Sequence, residues 1–125
     1  MENKTMKIAI TSQGTTLNSR TDPRFGRARY FIVIDTESNE LTVHDNAVNL
    51  NAAQGAGIQS AKNVADLGVH AVITGNVGPK AHTALSSAGI EIYTGASGAV
   101  QDALQAFNAK TLLRAEKANV EGHWM

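Results

Sequence analysis

With 125 residues, 11 Lys and Arg against 11 Asp and Glu, and no cysteine, the chain fits one domain that can bury a core without covalent staples. Balanced charge argues against nucleic acid or a membrane surface as a general partner. The missing thiol excludes disulfides and thiolate-held zinc or iron–sulfur centres.

In chain order, residues 7–11 form a first predicted strand, and residues 12–27 a long polar loop of Gly, Asn, Thr, Asp and Pro, all turn formers. Tyr30-Phe31-Ile32-Val33-Ile34 is continuously apolar, as in a strand buried on both faces and flanked on both sides. After a tight connection at 37–40, Leu41-Thr42-Val43-His44 alternates, which predicts a hairpin partner with one wetter face. The period then changes. A helix is predicted over 55–67, with Ile58, Ala61, Val64 and Ala65 on one side, followed by a strand at 71–73. Ala81, Ala84, Leu85 and Ala88 mark a second helix that Gly89 stops. Ile90, Ile92 and Tyr93 give a strand, and Val100, Ala103, Leu104 and Phe107 a third helix. One domain spans 1–125, with a core over about 6–116, a lead-in at 1–5 and a tail at 117–125. No apolar run approaches the ~20 residues needed to cross a bilayer. Residues 1–5 lack the apolar stretch of a signal peptide. A cytoplasmic protein is expected, in keeping with the absence of cysteine.

A β-meander followed by βαβα predicts an α/β fold: a five-stranded mixed sheet in the order 3-2-1-4-5, strand 2 antiparallel, with helices packed on the sheet. This is the ribonuclease-H-like arrangement. Strands 1, 3, 4 and 5 then end on one edge, where open α/β sheets bind ligands. Four loops meet there: 12–27, 44–54, 75–80 and 95–98. The first carries Arg20, Arg24 and Arg27, followed by Arg29. Asp22, the only acid among them, suits a turn cap or a pair with Arg24. Gly75-Asn76-Val77-Gly78-Pro79-Lys80 opens a helix, and Gly55-Ala56-Gly57 and Gly95-Ala96-Ser97-Gly98 precede two others. Helix starts offer free N–H groups and partial positive charge. Together these groups describe an anion cradle. Each also has a plainer reading, the glycines as turns and the arginines as a solvated loop. His44 is the best-placed histidine for a metal because it ends strand 3 on this edge. His82 comes second, His70 lies at the opposite end and His123 in the tail.

Catalytic motifs fail. Gly55-Ala56-Gly57 lacks the last glycine of a dinucleotide fingerprint, and 75–80 is too short for a Walker loop. The first strand has no acid, so two-metal nuclease chemistry lacks its carboxylates. No Ser/His/Asp set can be assembled. No enzyme activity is expected.

Asp22-Pro23-Arg24-Phe25-Gly26-Arg27-Ala28, followed by Tyr30-Phe31, is similar to the arginine-loop signature of the dinitrogenase iron–molybdenum cofactor biosynthesis family. Further matching blocks are Gly55-Ala56-Gly57; Gly68 to Gly75 with Gly78-Pro79; and Ala88-Gly89-Ile90 with Tyr93 and Gly98. The resemblance covers roughly residues 6–107 and is closest to the short stand-alone members, the orange protein group. It implies a ribonuclease-H-like fold and non-covalent binding, carriage or storage of an anionic molybdenum-containing sulfide cluster, including the molybdenum–copper–sulfide type. The iron–molybdenum cofactor or its precursor fits less well, since cysteine is absent. A sulfide-saturated anion needs N–H donors and cations more than coordinating side chains. The expected roles follow. Arg24 and Arg27 offset charge within a loop shaped by Gly26. Asn76 and the backbone at Gly75, Gly78, Ser97 and Gly98 donate hydrogen bonds. Lys80 adds a rim cation, and His44 coordinates a soft metal such as copper. Cluster donor or acceptor proteins are the implied partners, with no nucleic acid and no membrane. The alternatives are an interaction module without ligand and, behind it, an enzyme acting on a small anionic substrate.

Overall fold

The computed structural model describes residues 6–47 and 55–115. The lead-in at 1–5, residues 48–54 of the second edge loop, and the tail with His123 lie outside the described residues.

The sheet has six strands in the order β3-β2-β1-β4-β5-β6. They are β1 (Lys7–Ser12), β2 (Tyr30–Asp35), β3 (Leu41–Asp45), β4 (Ala71–Ile73), β5 (Glu91–Thr94) and β6 (Leu113–Arg114). β2 runs antiparallel to both β1 and β3, with Ala9 opposite Val33 and Ile32 opposite Val43. β1, β4 and β5 pair in parallel, with Ala9 beside Val72 and Val72 beside Ile92. β2 is therefore central, as its unbroken apolar run predicts.

Strand alternation sorts the core into two layers. Ala9, Phe31, Val33, Val72 and Ile92 face α1 (Ala56–Asp66) and α2 (Pro79–Ser87), packing on Ala61, Val64, Ala81 and Leu85. Ile8, Ile10, Ile32, Ile34 and Ile73 face α3 (Val100–Asn108) through Val100 and Ala103. Each fully buried Val, Ile or Phe contributes about 1.5–3 kcal/mol of burial free energy. Alanine on the inner faces of the helices lets them lie close to the strands.

The sixth strand is the departure from the expected five. β6 pairs antiparallel with β5 through Tyr93 and Arg114. It has two residues and Leu113 is 77% exposed, so no apolar period could reveal it. Tertiary bonds hold it in place: Ala115 N–H donates to the Ile92 carbonyl at 2.7 Å, and His82 Nε2 lies 3.1 Å from the Ala115 carbonyl. No described helix is long and apolar enough to cross a membrane.

Candidate functional site

The loop after β1 is anchored before it carries any charge. The Asp22 N–H donates to the Thr11 carbonyl at 2.9 Å. The buried Thr11 hydroxyl donates to the Asp22 carbonyl at 2.7 Å and is hydrogen-bonded with the Thr74 hydroxyl at 2.9 Å. The Asp22 carboxylate then shapes the loop, with Oδ1 accepting from Arg24 N–H at 3.0 Å and Oδ2 from Arg29 N–H at 3.4 Å. Phe25 is wholly buried, its ring 5.5 Å from that of Phe31. It is the packing anchor of the arginine loop.

So anchored, the loop lies across the start of α1 and the connection at Gly75 and Asn76 that leads into α2. A Cβ on Gly26 would fall 2.8 Å from Gly57 Cα, and one on Gly75 would fall 2.8 Å from Pro23 Cα. Both contacts are backbone against backbone, so both positions require glycine. The Gly26 carbonyl accepts from the buried Ser60 hydroxyl at 2.9 Å. Asn46 Nδ2 ties the same corner to the Ala28 carbonyl at 2.9 Å. On the other side Arg24 and Asn76 pair as a β-bridge. The Phe25 N–H donates to the Asn76 carbonyl, and Asn76 Nδ2 to the Pro23 carbonyl, each at 3.2 Å. The structure thus brings Arg24, Gly26, Gly75, Asn76 and Gly78 together. Arg27, half-buried, follows Gly26 directly.

The three helix starts are not equivalent. α1 begins after Gly55 and α2 after Gly78, and neither has a side-chain cap or an acid in its first turn. Among the described residues, then, no side chain offsets their N-terminal partial positive charge. α3 is different. The Ala99 N–H donates to Asp102 Oδ2 at 3.1 Å, Val100 N–H to the Ser19 carbonyl at 2.8 Å and Gln101 N–H to the Leu17 carbonyl at 2.9 Å. A carboxylate and two carbonyls already fill that end. Gly98 serves here as an acceptor, its carbonyl taking the Thr21 N–H at 2.8 Å and the Thr21 hydroxyl at 3.1 Å. Ser97 is exposed beside it. The expected donor role of Ser97 and Gly98 therefore faces the charge of Asp102, whose place in the first turn of α3 was readable in the sequence.

The cations also divide. The Arg29 guanidinium pairs with Asp45 and lies 4.3 Å from the Tyr30 ring centroid. Asp45 is held below its ordinary value, chiefly by the Ala47 N–H and then by Arg29. Arg24 stays open: its side chain is 42% exposed and its Nε lies 3.6 Å from Asp22 Oδ1. Lys80, exposed in the first turn of α2, lines a cavity of about 360 Å³ with Ile58, Pro79, Thr83 and Ala84.

His44 stands apart from this group. Its Nε2 is 3.0 Å from the Thr42 hydroxyl. It shares a cavity of about 270 Å³ with Asn46, Asn63, Asp66 and Leu67, at the C-terminal half of α1. Those helix residues lie about 9–15 Å along α1 from Gly57 at 1.5 Å per residue. Among the described residues no three His, Asp or Glu side chains converge as a metal site. His82 is held by Ala115, and His70 Nδ1 accepts the Lys7 N–H at 3.1 Å on the opposite edge. A roomier cavity of about 500 Å³, walled by Met6, Tyr93, Phe107 and Leu112, also lies away from the arginine loop. The rest of its wall is Thr36, Glu91, Asn108 and Lys110, and the Glu91 carboxylate opposes an anion there.

Residues 6–110 match the family model described as dinitrogenase iron–molybdenum cofactor. The chain is 35% identical to the orange protein from Desulfovibrio gigas, solved in its apo form, with a TM-score of 0.90 over 95% of this chain and 100% of that one. It is 36% identical to a Thermotoga protein solved by NMR and described as a NifB candidate, with a TM-score of 0.82 over 94% and 99% of the two chains. An uncharacterized protein of Methanocaldococcus jannaschii is 32% identical over 106 residues, 83% of this chain and 86% of that one.

Proposed function

The chain belongs to the dinitrogenase iron–molybdenum cofactor family, and from that premise we propose that it binds and carries or stores an anionic molybdenum-containing sulfide cluster without covalent attachment. The cluster is cargo, and no catalytic step is assigned to the protein. One observation carries this reading: Gly26 against Gly57 and Gly75 against Pro23 lay the arginine loop across the start of α1 and the connection into α2, two helices that among the described residues have no side-chain cap and no acid in the first turn. Helix starts without a side-chain cap among the described residues, together with the half-open Arg24, suit a guest with several negative charges. The chain has no cysteine, so the cargo must bring its own sulfide ligands, as a molybdenum–sulfide or molybdenum–copper–sulfide cluster does. Such a guest also suits a reducing cytoplasm. Copper in this proposal is held by the sulfides of the cargo. On this proposal His44 has no part in holding it, in keeping with its place beside Asn63, Asp66 and Leu67.

The test is to expose the purified protein to tetrathiomolybdate, with and without cuprous ion, and pass it through a desalting column. Retained charge-transfer absorbance with stoichiometric molybdenum is the expected result. Colourless, molybdenum-free protein would contradict it. In that event the 47% exposed Ile58 beside Pro79, Lys80 and Ala84 favours the interaction-module reading.

A further inference from the structure

An anion site with a buried carboxylate inside it needs explaining. The Asp22 side chain is 4% exposed, yet it lies in the loop that presents Arg24. The backbone of residue 22 does not depend on that carboxylate, because Thr11 holds both its N–H at 2.9 Å and its carbonyl at 2.7 Å. The turn itself needs only a side-chain oxygen to accept the Arg24 N–H at 3.0 Å, which asparagine would supply equally well. What asparagine cannot supply is the charge, along with the second oxygen that takes the longer 3.4 Å bond from the Arg29 N–H. That charge faces Arg24, since the Arg29 guanidinium is taken by Asp45 and Tyr30. The Arg24 Nε sits 3.6 Å from Asp22 Oδ1, longer than a made hydrogen bond, so the pair is loose and easily exchanged.

Building on the cluster-binding reading, we infer that Asp22 is the counter-charge of the site, a positioning residue that holds Arg24 while the protein is empty and opposes the bound anion so that the cargo can leave. An anion arriving at the loop takes over the Arg24 guanidinium. When the anion departs, Asp22 reclaims it. The buried negative charge lowers affinity and returns the loop to one starting geometry.

This role has a sign that a merely structural aspartate would not have. Asp22→Asn keeps the oxygen that accepts the Arg24 N–H, gives up the long contact from the Arg29 N–H, and removes the charge; the lost contact alone would loosen the loop and weaken binding, the opposite sign to the charge effect. The variant should bind tetrathiomolybdate about tenfold more tightly, the order expected for removing one like charge several ångströms from a divalent anion at a partly solvated site. Release should slow correspondingly, and the salt dependence of binding should steepen. Thr11→Val is the structural control: it frees the Asp22 carbonyl without changing charge, and should weaken binding. Wild type, Asp22→Asn and Thr11→Val are titrated with tetrathiomolybdate at two salt concentrations, with circular dichroism to confirm folding. Equal or weaker binding by folded Asp22→Asn overturns the inference. If wild type and Asp22→Asn both fail to take tetrathiomolybdate, the cluster reading falls, and sulfate decides the role of Asp22 separately. The ¹⁵N shift of Arg24 Nε would then report tighter sulfate binding in Asp22→Asn if the counter-charge is real. No gain for sulfate would refute it.

Discussion

Replacing Gly75 by alanine tests how the site is assembled. The added Cβ would meet Pro23 Cα at 2.8 Å and the Pro23 carbonyl oxygen at 2.9 Å, where ordinary contact begins at 3.4 Å. Both are backbone atoms, so one of the two segments must move by about 0.6 Å or more. Three hydrogen bonds cross that contact or leave from it: Gly95 N–H to the Gly75 carbonyl at 3.0 Å, Phe25 N–H to the Asn76 carbonyl at 3.2 Å, and Asn76 Nδ2 to the Pro23 carbonyl at 3.2 Å. Overpacking of this kind costs about 1–3 kcal/mol, and one weakened bond adds about 1 kcal/mol. Gly75→Ala should therefore lose about 2–4 kcal/mol, roughly 8–16 °C in Tm for a domain of this size. Gly55→Ala is the comparison. It sits at φ 82° with nothing within 4 Å of a Cβ, so it pays only left-handed strain of about 1–2 kcal/mol. Thermal unfolding by circular dichroism gives the stabilities, and tetrathiomolybdate titration below both transitions gives the binding. Gly75→Ala should bind at least about tenfold more weakly, because Arg24 moves with Pro23. If Gly75→Ala is at least as stable as Gly55→Ala and binds normally, the loop is not packed on the connection into α2.

Arg24→Ala should cost about 1–3 kcal/mol, since the pair is long and open at Arg24 but leaves the buried Asp22 carboxylate without its facing cation, while cargo retention after desalting falls; unchanged retention removes Arg24 from the site. Asp102→Ala deletes the acceptor of the Ala99 N–H and should cost about 1 kcal/mol with no change in tetrathiomolybdate affinity. A gain would move the cargo to α3, where the Asp102 carboxylate would oppose it. Burial raises the Tyr93 phenol above its ordinary 10, and the hydrogen bond to Glu91 adds to the rise. The stability this contributes is complete below pH 10 and is lost as pH climbs through the folded value. Phenolate absorbance should show a component ionising above 10 that Tyr93→Phe removes, and its absence from the parent protein would refute the burial argument.

The sheet order was legible because apolar runs state burial directly. Residues 30–34 are apolar without a break, which places β2 between two neighbours, and the helical periods from Gly55 onward supply the crossovers. β6 was not legible, because a two-residue strand held by Ile92 and His82 has no period of its own. At the site, the sequence grouped the right loops but treated their helix starts alike. Gly75-to-Gly78 and Gly95-to-Gly98 look similar as strings. Asp102, three residues after the α3 cap, is what separates them. His44 was placed on the correct edge by strand direction. Direction does not state lateral position, and β3 lies two strands away from β1. The Thr11 hydroxyl meets the Asp22 carbonyl 11 positions away and the Thr74 hydroxyl 63 positions away, pairings that only the folded sheet reveals.

The most direct measurement is backbone amide mapping by ¹⁵N NMR as tetrathiomolybdate is added to the native protein. Shifts gathered on Arg24, Gly57, Asn76, Gly78 and Lys80, with His44 and Ser97 left in place, are the result predicted. Shifts centred on His44, on the start of α3 or around Phe107 would contradict it, as would bound molybdenum with the arginine loop undisturbed.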